Sequence, residues 1–166
     1  TDTSGGEGAP HQGPVMQRRS YDRLRVLLSV AGLLIAAYLT LLHYDSSVPL
    51  VCTAGTFVNC EQVLTSASAF VAGIPVAVLG VVWFAVAVAL AALSSRGRRH
   101  GEPVWLRAVG LAWVLIGTAS VLWLVYQEFG VVGKICAWCT AVHVIILALL
   151  VVQVRSDPLP ADPPAP

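Results

Sequence analysis

Four long apolar runs constrain the fold of this chain more than any other feature. They cover residues 24–44, 73–93, 104–126 and 136–154. A helix needs about 20 apolar residues to cross roughly 30 Å of hydrocarbon, and the bilayer core offers no hydrogen-bond partner to an open backbone. The sequence therefore predicts an all-α integral membrane protein, built as a bundle of four transmembrane helices.

The composition agrees with a membrane protein and excludes an ordinary soluble one. Charged residues make up 11% of the 166 residues and hydrophobic residues 57%, whereas a soluble domain carries about 25% charged residues. The net charge of +1 gives no reason to expect a nucleic-acid partner. We expect membrane lipid to surround most of the chain, and we expect no second soluble domain of ordinary size.

The segments outside the runs are predicted to be tails. Residues 1–23 begin with a segment that contains Gly, Pro and Ser and end with a basic flank, and residues 156–166 are rich in proline. Both compositions are typical of disordered tails. The basic flank also resembles the start of a cleaved signal peptide. However, run 24–44 is longer than the core of a signal peptide, about 7–15 residues, and no small-residue cleavage site follows it. A retained first span is therefore favoured.

Basic residues predict the orientation in the membrane, because they concentrate on the cytoplasmic side. With four spans, both tails and the link at 94–103 share one side, whereas the loop at 45–72 and the link at 127–135 share the other. Of the basic residues, only Lys134 lies on the second side. Both termini are therefore predicted to be cytoplasmic, and all four cysteines to lie on the outer, oxidising side, where disulfides persist. The first side carries nine arginines: Arg18, Arg19, Arg23, Arg25, Arg96, Arg98, Arg99, Arg107 and Arg155.

A CxxC pair, Cys136 and Cys139, stands at the start of the last run. Residues three apart lie on one face of a helix, close enough for their thiols to form a disulfide. The positive end of the helix dipole, together with Lys134, favours the thiolate of Cys136, and the thiolate is the form that attacks a disulfide. We therefore predict a redox-active pair in which Cys136 is the more reactive thiol.

The other two cysteines, Cys52 and Cys60, lie in the predicted outer loop at 45–72. Asn59 is a suitable N-cap, so a short helix is expected to begin at Cys60 and to run through residues 64–70. Two other interpretations of the four cysteines stay open at this point. They could bind zinc as four thiolates, or they could form two static disulfides that only hold loops together.

The order and spacing of these features resemble those of the bacterial vitamin K epoxide reductase (VKOR) homologues. The resemblance covers residues 24–155, as a VKOR-like four-helix membrane domain. It rests on four features. Cys52 and Cys60 form a pair with seven residues between them, and Ser66 follows six residues after Cys60. The motif GIPVAVLG occupies residues 73–80, and the CxxC pair opens the last span. In DsbB-type oxidases, another four-span group linked to quinones, the CxxC pair comes early and the wider pair late. The order in this chain is the reverse.

This resemblance implies a VKOR-like thiol:quinone oxidoreductase that drives disulfide formation in exported proteins. Cys52 and Cys60 would be the shuttle pair, which reoxidises a secreted thioredoxin-fold protein of the DsbA type. Electrons would pass to Cys136 and Cys139 through a transient Cys60–Cys136 bond, and then to a membrane quinone, menaquinone or ubiquinone. The resemblance places the protein in the cytoplasmic (inner) membrane of a bacterium. Because these residues include no thioredoxin-like domain, the partner is expected to be a separate polypeptide.

Two further residues are predicted to support quinone binding, and no metal site is expected. Where the animal enzymes carry a Tyr one turn after the second CxxC cysteine, this chain has His143, on the same helix face as Cys139. Its imidazole can hydrogen-bond a quinone carbonyl, or alternatively a neighbouring helix. Ser66 matches a Ser/Thr position of the family, or it bonds only to the backbone. An Asn that the animal enzymes carry early in the second span has no polar counterpart near Pro75.

The remaining polar and aromatic residues of the spans are interpreted as structural. Trp83, Trp113 and Trp123 are expected to pack or to face lipid, and Glu128 is expected to be a solvated charge, with proton uptake as the alternative. Two other functions also stay open. One is reduction of quinone or quinone epoxide for its own sake. The other is a membrane scaffold, in which Cys→Ala changes would lower stability and leave electron flow unaffected.

Overall fold

Four long helices and one short helix make up most of the structure. The computed structural model describes residues 14–45, 47, 49–52, 55–100 and 103–156. Four of the helices are long and apolar enough to cross a membrane. α1 packs against α3 and α5, and α4 packs against the same two helices, so the predicted four-helix bundle is confirmed. Within the described residues the helices are α1 (Pro14–Tyr44), α2 (Cys60–Leu64), α3 (Val76–His100), α4 (Val104–Tyr126) and α5 (Ala137–Ser156).

Helix boundaries match the apolar runs closely for α4 and α5, and less closely for α1 and α3. Helix α1 begins at Pro14, so residues 14–23 of the predicted tail are helical; the Gln and Arg residues there are good helix formers. Helix α3 begins three residues later than the predicted span and continues through the basic link to His100. Residues 1–13 and 157–166 of the predicted tails lie outside the described residues.

A two-stranded hairpin explains the late start of α3. Strand β1 (Phe70–Val71) pairs antiparallel with strand β2 (Ile74–Pro75). Ala72 and Gly73 connect the strands with φ values of 51° and 79°, and two central residues in the left-handed region are typical of a type I′ hairpin turn. The Gly-Ile-Pro sequence, which was predicted to open the helix, instead forms this turn and the strand that leads into Val76.

The core lies where the four long helices meet. Phe84 of α3 is fully buried, and its ring lies against Gly32 of α1, where a Cβ would overlap it. The rest of this central cluster is apolar and comes from the other three long helices: Ala36, Val114, Val121, Ile146 and Leu149. Because many other large apolar side chains on these helices are exposed, such as Leu27 and Leu122 at 66%, the outer surface suits lipid rather than water.

The two ends of the bundle differ in polarity. At the end away from the cysteines, Arg25 of α1 and Gln153 of α5 are buried beside Gly110 of α4. At the other end, α1 stops at a turn in which Asp45 accepts hydrogen bonds from the amide and the hydroxyl of Ser47, at 2.9 and 2.6 Å. These bonds lower the pKa of the Asp45 carboxyl below its ordinary value. This turn starts the loop that carries Cys52 and Cys60.

Candidate functional site

The loop before α2 is joined to the segment before α5 by backbone hydrogen bonds. Val58 and Ile135 form a parallel β-bridge. The amide of Asn59 donates to the carbonyl of Ile135 at 3.1 Å, and the amide of Ile135 donates to the carbonyl of Phe57 at 2.9 Å. Cys60 follows this bridge on one strand and Cys136 follows it on the other. The bridge therefore brings the two cysteine pairs to one place.

Side chains add further links between the loop and the helices. The Trp138 indole donates to the carbonyl of Val51 at 2.8 Å, and the Tyr38 hydroxyl donates to the carbonyl of Pro49 at 3.0 Å. The two rings are packed edge to face, with centroids 5.3 Å apart. Helices α1 and α5 thus hold the part of the loop that leads to Cys52.

Lys134 also holds the loop in place, a contact that was not predicted. Its ammonium group donates to the carbonyl of Thr56 at 2.8 Å. The expectation was that this charge would favour the thiolate of Cys136. Its hydrogen bond instead goes to the loop, because the bridge at Ile135 brings the Thr56 carbonyl within its reach.

Asn59 begins α2 as predicted. Its side-chain oxygen accepts a hydrogen bond from the amide of Gln62 at 3.0 Å, which satisfies one of the free amides in the first turn. The helix is shorter than expected: it ends at Leu64, and a 3-10 turn at Ala67–Ala69 follows. Cys60 is the first helical residue and is 1% exposed. The cap therefore fixes the position of a buried cysteine.

All four cysteines lie in one cluster. Cys52 is bonded to Cys60, with Cα atoms 6.2 Å apart, and Cys136 to Cys139, with Cα atoms 5.1 Å apart. Cys60 and Cys136 are buried together with Val63, whereas Cys52 and Cys139 are partly buried at the edge of the cluster. The buried members of the two pairs, Cys60 and Cys136, thus lie in the same cluster.

The start of α5 is arranged to stabilise charge on Cys136. This residue directly precedes the helix, and the amide of Cys139 donates to its sulfur at 3.2 Å. An amide at a helix N-terminus favours an anion in front of it, and a thiolate so placed is the better nucleophile and the better leaving group. The predicted position of the CxxC pair at a helix N-terminus is confirmed.

An apolar cavity of about 640 Å³ lies directly below the cysteines. This volume is within the range of about 300–1,000 Å³ that is usual for small-molecule sites. Cys139 lines it from α5, and Pro75, Val76 and Gly80 of the GIPVAVLG motif line it from the start of α3. The cavity therefore adjoins one sulfur of the CxxC pair and is otherwise mainly apolar, as a site for a lipid-soluble ring requires.

His143 and Ser66, the two predicted supporting residues, both line this cavity. His143 is 6% exposed and lies one turn after Cys139. Among the described residues, no protein group hydrogen-bonds its imidazole. The hydroxyl of Ser66 donates to the carbonyl of Val63 at 2.7 Å, so it bonds the backbone and keeps its lone pairs for accepting. The cavity thus contains a ring nitrogen and a hydroxyl that can meet polar atoms of a ligand.

The prediction for Glu128 was wrong. This residue was expected to be a solvated charge, but it is 6% exposed and lines the cavity. The π-helical segment Gln127–Val132 continues α4 and turns its side chain inward. The backbone amide of Cys136 is close enough to the carboxyl group to stabilise its charged form. In the structure the third membrane-length helix continues to Val132, so Glu128 is an ionisable residue within a span.

Trp83 packs as predicted, but it also lines the cavity. Its ring is stacked on that of Trp113, with the ring centroids 6.1 Å apart, so Trp83 both packs and shapes the site. The side wall also includes Leu79 of α3 and Ile116 and Trp123 of α4. These three are 38–58% exposed on the outside of the bundle. The cavity therefore reaches the lipid-facing surface between α3 and α4.

Four membrane-length helices with two adjoining disulfides above an apolar cavity define a class of multi-pass membrane proteins that perform disulfide redox chemistry. The sequence model of the vitamin K epoxide reductase family matches residues 23–154. The chain belongs to that family, and the predicted resemblance is confirmed. The chemistry of the family is quinone-linked and uses cysteines, so the protein is an oxidoreductase. Among curated proteins, no sequence matches the chain.

Proposed function

We propose that the protein is a quinone-dependent thiol oxidase that reoxidises a secreted, DsbA-like thioredoxin-fold protein. The observation that carries this proposal is the burial of Cys60 and Cys136 in one cluster, with Cys52 at its edge. A pair of purely structural disulfides has no need to share a cluster above a ligand-sized cavity. A relay needs this proximity, because thiol–disulfide exchange requires contact between sulfur atoms.

The proposed relay begins at Cys52, which is more exposed than Cys60. The dithiol of the partner reduces the Cys52–Cys60 disulfide. The Cys60 thiolate then attacks Cys136, forms a Cys60–Cys136 bond and releases the Cys139 thiolate. Cys52 next attacks Cys60, which restores the loop disulfide and leaves Cys136 and Cys139 as a dithiol.

The cavity fits a quinone ring beside Cys139. A bound quinone, menaquinone or ubiquinone, supplies the acceptor for two electrons and two protons. His143 and Ser66 are the proposed polar contacts of the ring, and Trp83 forms part of its apolar surroundings. In this scheme the protein excludes water, holds the ring against Cys139 and positions the thiols.

The proposed location is the cytoplasmic membrane of a bacterium, with both termini inside and the cysteines outside. The arginine asymmetry described above supports this orientation. A membrane-impermeant thiol reagent applied to intact spheroplasts, after mild reduction, should label Cys52. A Gly97→Cys variant without the four native cysteines should be labelled only after lysis. The reverse result would contradict the orientation.

Replacing Cys139 with Ala tests the relay. With Cys139 absent, Cys136 has no partner in its own pair, and protein purified without reductant should carry a Cys60–Cys136 bond with Cys52 free. Disulfide mapping by mass spectrometry detects this bond. The matched control is Cys136→Ala, in which the Cys52–Cys60 bond should stay intact. An unchanged Cys52–Cys60 bond in Cys139→Ala, with Cys136 as an inert thiol, would contradict the relay and favour structural disulfides.

A further inference from the structure

Glu128 is the only carboxyl-bearing residue, among those that the structure describes, that lines the cavity. No salt bridge to it occurs in the same described part of the chain. A buried carboxylate without a cationic partner costs free energy, and an ionisable residue within a span is therefore a candidate for function. Its location near Cys136 and Cys139 points to a role in the chemistry of these two thiols.

The Glu128 carboxyl group lies near the CxxC pair. The backbone amide of Cys136 is close enough to the carboxyl group to stabilise its charged form, and Cys139 lines the same cavity. The amide nitrogen and the sulfur of one cysteine are only three bonds apart, so the carboxyl lies beside the sulfur that must lose a proton. Glu128 thus borders Cys136 on one side and the cavity on the other.

Other titratable groups around this segment do not duplicate that arrangement. The elements packed against it are α4, α2 and the 3-10 turn at Ala67–Ala69. Helix α4 offers Arg107 and Tyr126, and α2 offers Glu61, all exposed. Helix α2 also carries Cys60, which is bonded to Cys52; the turn offers none. Besides Cys139, the other titratable side chains on the cavity wall are His43 and His143. Glu128 alone adjoins both the Cys136 backbone and the cavity.

We propose that Glu128 is the proton-transfer residue for Cys136, an inference that rests on the proposed quinone-linked function. As the Cys136 and Cys139 sulfurs form their disulfide, the Glu128 carboxylate takes the proton of the Cys136 thiol and passes it to one quinone oxygen. The Cys139 thiol proton goes to the other oxygen. The dithiol loses two electrons and two protons, and the quinone gains both to become the quinol, so the step balances.

Glu128→Gln separates this role from simple positioning. Glutamine keeps the size of the side chain and an oxygen that can face the Cys136 amide, but it cannot carry a proton. With dithiothreitol as donor and a short-chain benzoquinone as acceptor, this variant should reduce the quinone about 100-fold more slowly than the wild type. The wild-type rate should fall at low pH, where the carboxylate becomes protonated, and the variant should lack that part of the profile. The matched control is Glu61→Gln, which removes an exposed carboxylate beside Cys60 and should behave as the wild type.

A second readout needs no quinone. The infrared difference spectrum between oxidised and dithiothreitol-reduced protein should contain a carboxyl band that is lost in Glu128→Gln and kept, although shifted, in Glu128→Asp. This comparison also covers the case in which Glu128→Gln folds poorly, because Glu128→Asp keeps a titratable group at the site.

The outcomes distinguish this inference from the function on which it rests. If the wild type reduces quinone and Glu128→Gln keeps its rate and pH profile, Glu128 only positions Cys136 and the inference fails while the function stands. A redox difference spectrum without any Glu128-dependent carboxyl band would equally overturn it. If the wild type does not reduce quinone at all, the proposed function itself fails.

Discussion

Val58 and Ile135 pair across a single parallel β-bridge, and that pairing places α2 beside the CxxC pair. Cys60 and Cys136 follow the bridge at close range on their two strands. Because the bridge is made of backbone hydrogen bonds, the proximity of the two cysteine pairs does not depend on the side chains of the bridge itself. The surrounding side chains then determine how tightly the loop is held.

Trp138→Phe should loosen the loop. The change removes the indole hydrogen bond to Val51 and keeps an aromatic ring against Tyr38. A hydrogen bond of this kind contributes about 1 kcal/mol, so amide hydrogen exchange in residues 50–52 and 55–59 should become roughly 5-fold faster, as local opening becomes easier. Trp105→Phe, an exposed indole at the start of α4, should leave these rates unchanged. Equal exchange in both variants would mean that the Trp138 bond does not hold the loop.

Asn59→Ala should fray the first turn of α2. The variant loses the side-chain acceptor for the Gln62 amide, a loss that costs about 1 kcal/mol. Cys60 should then become more accessible, and after reduction it should be alkylated several-fold faster than in the wild type. Asn59→Asp keeps an acceptor at the cap and should retain the slow rate. Fast alkylation in the Asp variant as well would show that something other than the cap protects Cys60.

His143→Phe should weaken quinone binding without affecting thiol exchange. Phenylalanine fills a similar space in the cavity wall but offers no hydrogen bond, so KM for quinone should rise about 10-fold. His143→Gln keeps a donor and should lie closer to the wild type. Transfer of the disulfide from the CxxC pair to the loop pair, followed without quinone, should be equal in all three proteins. A slowed exchange step would place His143 in the thiol relay instead.

Gly117→Ala should destabilise the wall of the cavity. A Cβ at this position would overlap the indole ring of Trp83, and overpacking of this kind costs about 1–3 kcal/mol. The thermal midpoint in detergent should fall. Gly110→Ala, on the same helix, is the matched control, because its Cβ would meet its nearest neighbour at an ordinary 3.5 Å. A similar loss in both variants would assign the effect to α4 and not to Trp83.

The parts of the fold that local patterns determine could be predicted from the sequence. The four spans follow from uninterrupted apolar runs, and Asn59 follows from the capping preference of its side chain. His143 was singled out from the family resemblance, and its place on the cavity wall follows because a helix brings residues four positions apart to the same face. In each case the signal lies within a few residues of the feature that it predicts.

The parts that depend on distant contacts could not be predicted. The Val58–Ile135 bridge joins segments far apart in the chain, and the hydrogen bond of Lys134 to Thr56 is a consequence of that bridge. Glu128 was misplaced because Gln127 and Glu128 look like the polar end of a span. The helix instead continues in a wider turn to Val132 and carries the carboxyl inward.

The side opening formed by Leu79, Ile116 and Trp123 has a kinetic consequence. On the proposed function, a ring that enters between α3 and α4 comes from the lipid and never dissolves in water. Its effective concentration is then a mole fraction in the membrane. Diluting reconstituted protein and quinone with additional phospholipid would slow turnover at constant bulk quinone, whereas diluting the same vesicles with buffer would not.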